Sequence, residues 1–439
     1  DGGCLHLAGR PGPVAKYEMS NVSDQSRPAR FLWLLRPPAS VDRRTEGIIL
    51  LVGAAAFFAG YDVNIFGLAT PQIQASLHIA ENQVGLTLAY FRAAAVIALL
   101  IAASADLVGR RRLLLVTIFG QAVFTLLTAF APDYPWFVAA QTLTRVFGYA
   151  EEMLCFVVIA EEITARARGW ANSTLVALYF LGAGLAAALF GAIDILPHGW
   201  RALYFIGALS LLLVGVLRRR LPETKRFQSQ GGAGMAAALG LLKEMVRQYP
   251  GRIVTVLVAA GAWGFAISPA TFMAQKYLQE AYHYRPAQVS LLLIPGGLVG
   301  LGLSIAAGRL SDRLGRKPMA IAMALLCGVS FFLFFNGAPG WAVGPLWVLA
   351  FLGFFSGDTM IAGFALEIVP THYRATVGGL RYLVEIACGA GALALEGVLY
   401  DVFHTHGPAL QWLLATIPIT LIAILFLPEP AGKSLEEMA

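Results

Sequence analysis

Charge is scarce in this sequence. Of 439 residues only 13% are Asp, Glu, Lys or Arg, while 58% are apolar; ordinary soluble domains carry roughly 25% charged residues. That shortfall excludes an ordinary soluble enzyme. Cysteine is scarcer still. Cys4 stands in the amino-terminal segment, and Cys155, Cys327 and Cys388 each stand alone in apolar stretches. They exclude a disulfide framework and read as small core residues. A Walker motif, a dinucleotide fingerprint, a catalytic triad and a metal-ligand cluster are all missing, so no ATP-driven transport, catalysis, metal or cofactor is expected. His404 and His406 have no cysteine near them and no carboxylate cluster beyond Asp401, and no metal site is expected there.

What the sequence has in quantity is long apolar runs. Stretches of about 20 apolar residues, enough to cross a hydrocarbon core of ~30 Å, recur twelve times. They read as 47–69, 83–105, 113–131, 136–160, 170–193 and 202–217, then 253–274, 287–307, 319–335, 345–366, 376–400 and 409–427. Residues 1–45 are rich in Pro, Arg, Ser and Gly, lack a sustained apolar run or secretory signal, and are expected to be a disordered tail. The sequence opens on Asp1, and Met19-Ser20 has the character of a natural start, so residues 1–18 are expected to be foreign to the native chain. Residues 428–439 form a second tail. The long segment 218–252 separates two blocks of spans, 46–217 and 253–427. Its stretch Gly234–Gln248 spaces Met235, Leu239, Leu242 and Val246 as one helical face, with Lys243, Glu244 and Arg247 between them. An amphipathic helix on a membrane surface, linking the blocks, is expected there.

The net charge of +6 is no nucleic-acid signal, because of where it lies. Of 32 Lys and Arg, 26 fall on one side of the span pattern. Arg201, Lys276 and Arg285 fall on the other, and Arg92, Arg145 and Arg381 within spans. The excess of basic residues places both termini and the central segment in the cytoplasm of a cell-membrane protein.

Two of the basic loops are copies of one another. Asp106-Leu107-Val108-Gly109-Arg110-Arg111-Arg112 returns as Asp312-Arg313-Leu314-Gly315-Arg316-Lys317, and 312 − 106 = 206. The pair Glu161 and Arg168 returns as Glu367 and Arg374, Leu221-Pro222-Glu223 as Leu427-Pro428-Glu429, and Glu152 as Asp358, all at the same offset. In each loop the glycine permits a positive φ where one helix stops and the chain reverses. A duplication in one orientation, with an even number of spans per copy, is the plan of a transporter built from two parallel halves, with its binding site between them near mid-membrane.

The doubled D-x-x-G-R-[RK] loop and the doubled E-x6-R resemble the major facilitator superfamily from about residue 45 onward. The Pro-Glu-Thr at 222–224 and the segment at 428–437 are similar to its sugar-porter and organic-solute branch. Ala102 stands where the first loop motif usually has glycine, whereas Gly308 keeps it in the second. The resemblance implies an all-α membrane protein of twelve transmembrane helices in two six-helix halves, a secondary carrier working by alternating access, and not an enzyme. It implies further that Asp106, Arg110, Glu161, Arg168, Asp312, Arg316, Glu367 and Arg374 form salt bridges that close the cytoplasmic side. Plain helix caps and topology anchors are the competing role for the same residues.

A carboxylate in mid-span costs about 2.5–3.5 kcal/mol on insertion scales and so faces a cavity or a partner. Asp62 is such a group, in Gly60-Tyr61-Asp62-Val63-Asn64-Ile65-Phe66-Gly67. Burial favours the neutral form of a carboxyl, which suits such a group to proton exchange. The surrounding pattern resembles the first span of aromatic-acid and sugar proton symporters, which implies proton coupling through Asp62. A structural Asp bonded to a neighbouring span is the alternative. In the fourth span Arg145, Tyr149 and Glu152 share one face, and Glu151 is turned ~100° from Glu152. Arg145 is expected to partner Asp62 or Glu152, although in related symporters the arginine lies one turn away, where this sequence has Gln141.

Candidates for the solute are Tyr61, Asn64, Arg92, Tyr149, Glu151, Trp263, Asp358, Arg381 and Glu385. Glu152 and Asp358 either flank a central cavity or serve as polar anchors near the membrane edge. Arg381 and Glu385, at i and i+4, neutralise each other. Arg92 either meets a substrate carboxylate or snorkels. Aromatic residues in the same spans, Phe91 among them, offer a stacking wall. The fifth span has no Gln and the seventh no Gln/Asn cluster, so a hexose ranks below an organic acid. Proton symport of a small aromatic or other organic acid is the first expectation, for a monomer in the lipid bilayer with no nucleic-acid partner. A sugar or polyol porter, a proton-coupled exporter of organic cations, and a non-transporting membrane sensor are the alternatives.

Overall fold

Apolar runs of this length become helices in lipid because each backbone N–H and C=O is then satisfied within its own segment. The computed structural model describes residues 43–163, 165–219, 235–370 and 373–429. Regular structure among them is helical throughout. The spans are α1 (Arg43–Leu77), α2 (Glu81–Ala103), α3 (Arg110–Ala129), α4 (Tyr134–Glu162), α5 (Ala165–Phe190) and α6 (Trp200–Arg218). The second set is α7 (Pro250–Glu280), α8 (Pro286–Leu314), α9 (Arg316–Phe335), α10 (Gly340–Glu367), α11 (Arg374–Phe403) and α12, in two segments, His406–Leu414 and Ile417–Phe426. Eleven of them are long and apolar enough to cross a membrane. The other is α4, whose middle carries Arg145, Glu151 and Glu152.

Two spans depart from the apolar pattern at prolines. The first span outlasts its apolar run: α1 continues through Pro71 to Leu77. Pro71 has no N–H to donate, so the carbonyl of Gly67 is left without its helical partner. The twelfth span breaks after Leu414, because Pro418 cannot donate to that carbonyl and a pre-proline residue resists the helical conformation. The linker contains a helix over Met235–Gln248. The tails and residues 220–234, with Leu221-Pro222-Glu223, lie outside the described residues.

The duplicated loops fold alike. Gly109 has φ of +99° and Gly315 of +104°, so both copies reverse the chain through a left-handed glycine. Glu429 binds the second copy: its carboxylate accepts from the backbone N–H groups of Arg316 and Lys317 at 2.8 and 2.9 Å, capping α9.

Within the first half α1 packs on α5, α2 on α4 and α3 on α4 and α6; within the second α7 packs on α11 and α9 on α10. The α1–α5 crossing is close because it uses glycine. A Cβ at Gly60 would lie 2.0 Å from the Tyr179 carbonyl, and one at Gly182 only 1.7 Å from that of Phe57. The halves meet mainly through α2 with α11, α5 with α8, and α1 with α7. Apart from a contact at mid-span between Arg92 and Ser268, the polar contacts across that seam among the described residues gather at the face opposite the repeat loops. Gln72 donates to Gln279 at 2.8 Å, Asn82 to Asp401 at 3.1 Å, and Ser290 to the Ala187 carbonyl at 2.5 Å.

Candidate functional site

The seam holds a small pocket lined by Val63, Phe66, Gly67, Leu88, Phe91, Arg92, Arg145, Tyr149 and Phe272. Helix periodicity explains the set. Val63 and Gly67 are one turn apart on α1, with Phe66 between them, Leu88 and Arg92 on α2, and Arg145 and Tyr149 on α4. Phe272 arrives from α7 in the other half. The Phe66 and Phe91 rings meet edge-on at 5.1 Å.

Behind this wall lies a buried ion pair. Arg145 Nη1 is 3.5 Å from Asp62 Oδ2, with the side chains 4% and 1% exposed. Arg145 Nη2 donates to the Asp62 and Val63 carbonyls at 3.1 and 3.3 Å, and Thr125 donates to Asp62 Oδ1 at 3.5 Å. Among the described residues none donates a hydrogen bond to Asp62 Oδ2. Of the two partners open to Arg145 from the sequence, the structure selects Asp62. Gln141 instead donates to Thr128 at 3.1 Å.

Arg92 is held differently. Its Nη1 donates to Ser268 Oγ of the second half at 2.6 Å, and its guanidinium sits 5.2 Å from the Phe272 ring centre. A Cβ on Gly389 would fall 2.3 Å from that nitrogen, so the glycine is what lets Arg92 reach Ser268. Among the described residues no carboxylate pairs with Arg92. Arg381, by contrast, is neutralised twice, by Asp358 at 3.2 Å and Glu385 at 2.9 Å. These three do not line the pocket, and neither does Glu152, which is half-buried and makes no hydrogen bond or ion pair with the described residues.

Four other expected solute contacts lie elsewhere, and each has a physical reason. Tyr61 is 1% exposed and donates to the Leu203 carbonyl at 2.8 Å, which ties α1 to α6. Asn64 donates to the Gly60 carbonyl one turn back, at 2.8 Å. Glu151 is closed into an ion pair with the fully buried Arg218 and accepts from Thr117. Trp263 is fully buried in the second half, against Gly357. Phe66, Leu88 and Phe272 were absent from the sequence candidates, although Phe66 is signalled by its one-turn spacing from Asp62.

Of the loop charges, Arg316 Nε lies 3.6 Å from Glu367, and Arg110 donates to the Ala105 carbonyl at 3.2 Å. Arg374 opens α11. The side chains of Asp106, Glu161, Arg168 and Asp312 lie outside the described residues. His406, which the sequence shows near no carboxylate but Asp401, in fact faces Glu81 and Glu396.

Comparison with known proteins gives one family. Residues 52–392 match the Major Facilitator Superfamily. A probable 4-methylmuconolactone transporter of Cupriavidus pinatubonensis is 24% identical over 86% of this chain and 89% of that protein. A citrate-proton symporter of Salmonella typhi is 28% identical over 81% and 87%. The crystal structure of a D-xylose-proton symporter superposes with a TM-score of 0.70, at 18% identity, over 89% of this chain and 99% of that one. With the twelve helices and duplicated loops already in place, the match over residues 52–392 makes this chain a member of the Major Facilitator Superfamily, a transporter and not an enzyme.

Proposed function

We propose that the chain is a proton-coupled symporter of small organic acids, with aromatic acids favoured. The observation that carries this reading is Arg92. It is the pocket's arginine without an acidic partner, set beside Phe66, Phe91 and Phe272. A half-buried cation without an ion-pair partner carries a desolvation cost, and a bound carboxylate supplies the missing charge while its ring rests on the phenylalanines.

Asp62 is the proton carrier in this reading. Protonation at the unbonded Oδ2 dissolves the pair with Arg145, and that guanidinium, which also lines the pocket, is then available to the anion. Proton and acid thus bind in support of one another, which is coupling in its thermodynamic sense. The face bearing the repeat loops is the cytoplasmic one, on the distribution of Lys and Arg. Contacts across the seam then close the outer side, and the pocket belongs to an inward-facing state. The loop charges act as the gate that closes the cytoplasmic side when the halves rock. The six-helix halves, 46–217 and 253–427, move about the linker in a monomer. The relatives named for citrate and 4-methylmuconolactone transport support an organic acid over a sugar.

Uptake of radiolabelled benzoate into proteoliposomes tests the reading, with benzamide as the neutral analogue. Benzoate accumulating under an inward proton gradient, and benzamide failing to compete, is the expected result. Equal competition by benzamide would remove the carboxylate from recognition.

A further inference from the structure

The halves are joined, at the face opposite the repeat loops, by ionisable groups that the pocket chemistry does not use. Glu81 opens α2 in the first half. Lys276 of α7 is 1% exposed, lies 2.7 Å from Glu81 Oε2 and also bonds Glu280. His406 opens α12. Its Nδ1 is 2.6 Å from Glu396 Oε1 of α11, and its Nε2 is 3.1 Å from Glu81 Oε2. Glu396 is fully buried, and the Tyr400 ring lies over the imidazole at 4.5 Å. At this end α9 contributes no charge, since its only charged residues, Arg316 and Lys317, are at its other end.

Carboxylate oxygens accept hydrogen bonds and do not donate, whereas a neutral imidazole has a single N–H. A histidine with a carboxylate oxygen on each nitrogen is therefore satisfied only when the cluster holds one further proton. Charge gives the same answer. Glu81, Glu280 and Glu396 face Lys276 alone if the ring is neutral, leaving two uncompensated negative charges around a fully buried Glu396 and a buried Lys276, with Glu81 and Glu280 partly exposed. Glu81 is the only member from the first half. When the halves part here it leaves with α2, and a neutral ring can then serve Glu396 through Nδ1–H.

We propose that His406 is a proton-binding site at the seam: closing this face takes up one proton there, distinct from the one assigned to Asp62, and opening releases it. The proposal rests on the rocking of the two halves and not on the identity of the solute. It makes the closed face one that acidity favours, with at most one proton linked to the step.

The test uses the full chain in nanodiscs with its native cysteines replaced and spin labels at Ile195 and Trp341, which are 84% and 82% exposed on this face, one in each half. Pulsed electron resonance reads the closed and open populations. A second pair at Val108 and Leu314, also exposed, reads the repeat-loop face. From about pH 8.5 to about pH 5 the closed-to-open ratio should rise, by up to about tenfold per pH unit. The rise should persist in Asp62→Asn and vanish in His406→Gln. Glu81→Gln, whose amide both donates and accepts, should stay closed with no pH response. A response that survives His406→Gln, disappears in Asp62→Asn, or is absent from the parent protein would overturn the proposal. Two populations at the Val108–Leu314 pair without any pH response would do so while leaving rocking intact; a single population at both pairs would overturn both.

Discussion

Single residues set the chemistry here by having, or lacking, a partner. Asp62 has Arg145; Arg92 has Ser268 and an aromatic ring but no acid. Asp62→Asn keeps the shape of the pair and removes the proton. It should abolish accumulation against a gradient while leaving solute exchange across the membrane, measured as counterflow. Arg92→Gln removes one charge-assisted contact worth about 1.5–3 kcal/mol. It should raise the KM for an acid by roughly 10–100-fold, and Arg92→Lys should recover part of it. An unchanged KM in Arg92→Gln would return this residue to a snorkelling role. Asp62 and Arg145 were legible in the sequence because charge in mid-span is rare. Phe272 was not, because phenylalanine is common in spans and the face that looks across the seam is set by the opposite half.

At the scale of elements, polar groups sort into those that hold helices together and those that face the pocket. Glu151 and Glu152 are neighbours in sequence, yet only Glu151 is locked, by Arg218 of α6 and Thr117 of α3. The turn of ~100° between them was predictable; the position of Arg218, 67 residues away, was not. Breaking a buried pair by removing one partner leaves an uncompensated charge. Glu151→Ala should therefore destabilise the protein by about 3–5 kcal/mol, read as a lower unfolding temperature, with the KM of the surviving protein unchanged. Gly182→Val should be as damaging for a different reason, since its side chain would collide with the Phe57 carbonyl and part α1 from α5. Thermal unfolding in detergent checks both.

For the molecule as a whole, the 206-residue offset was the most informative feature of the sequence. It predicted two halves, and the paired φ values of Gly109 and Gly315 show the copies folding alike. How the halves touch was not legible. The contact between Glu81 and His406 joins residues 325 apart and follows no local pattern. Gln72 and Gln279 lie on either side of the same seam. Replacing both by cysteine and oxidising should halt transport, and reduction should restore it, if the halves must part at this face.

The central claim is that an acid and a proton cross together through Asp62 and Arg92. The most direct test is proton movement into proteoliposomes holding a pH-sensitive dye, on addition of benzoate, with the signal of protein-free vesicles subtracted and Asp62→Asn vesicles measured alongside. The account predicts a protein-dependent acidification of the lumen that tracks benzoate entry and is lost in Asp62→Asn. Protein-dependent benzoate uptake with no accompanying proton would contradict it.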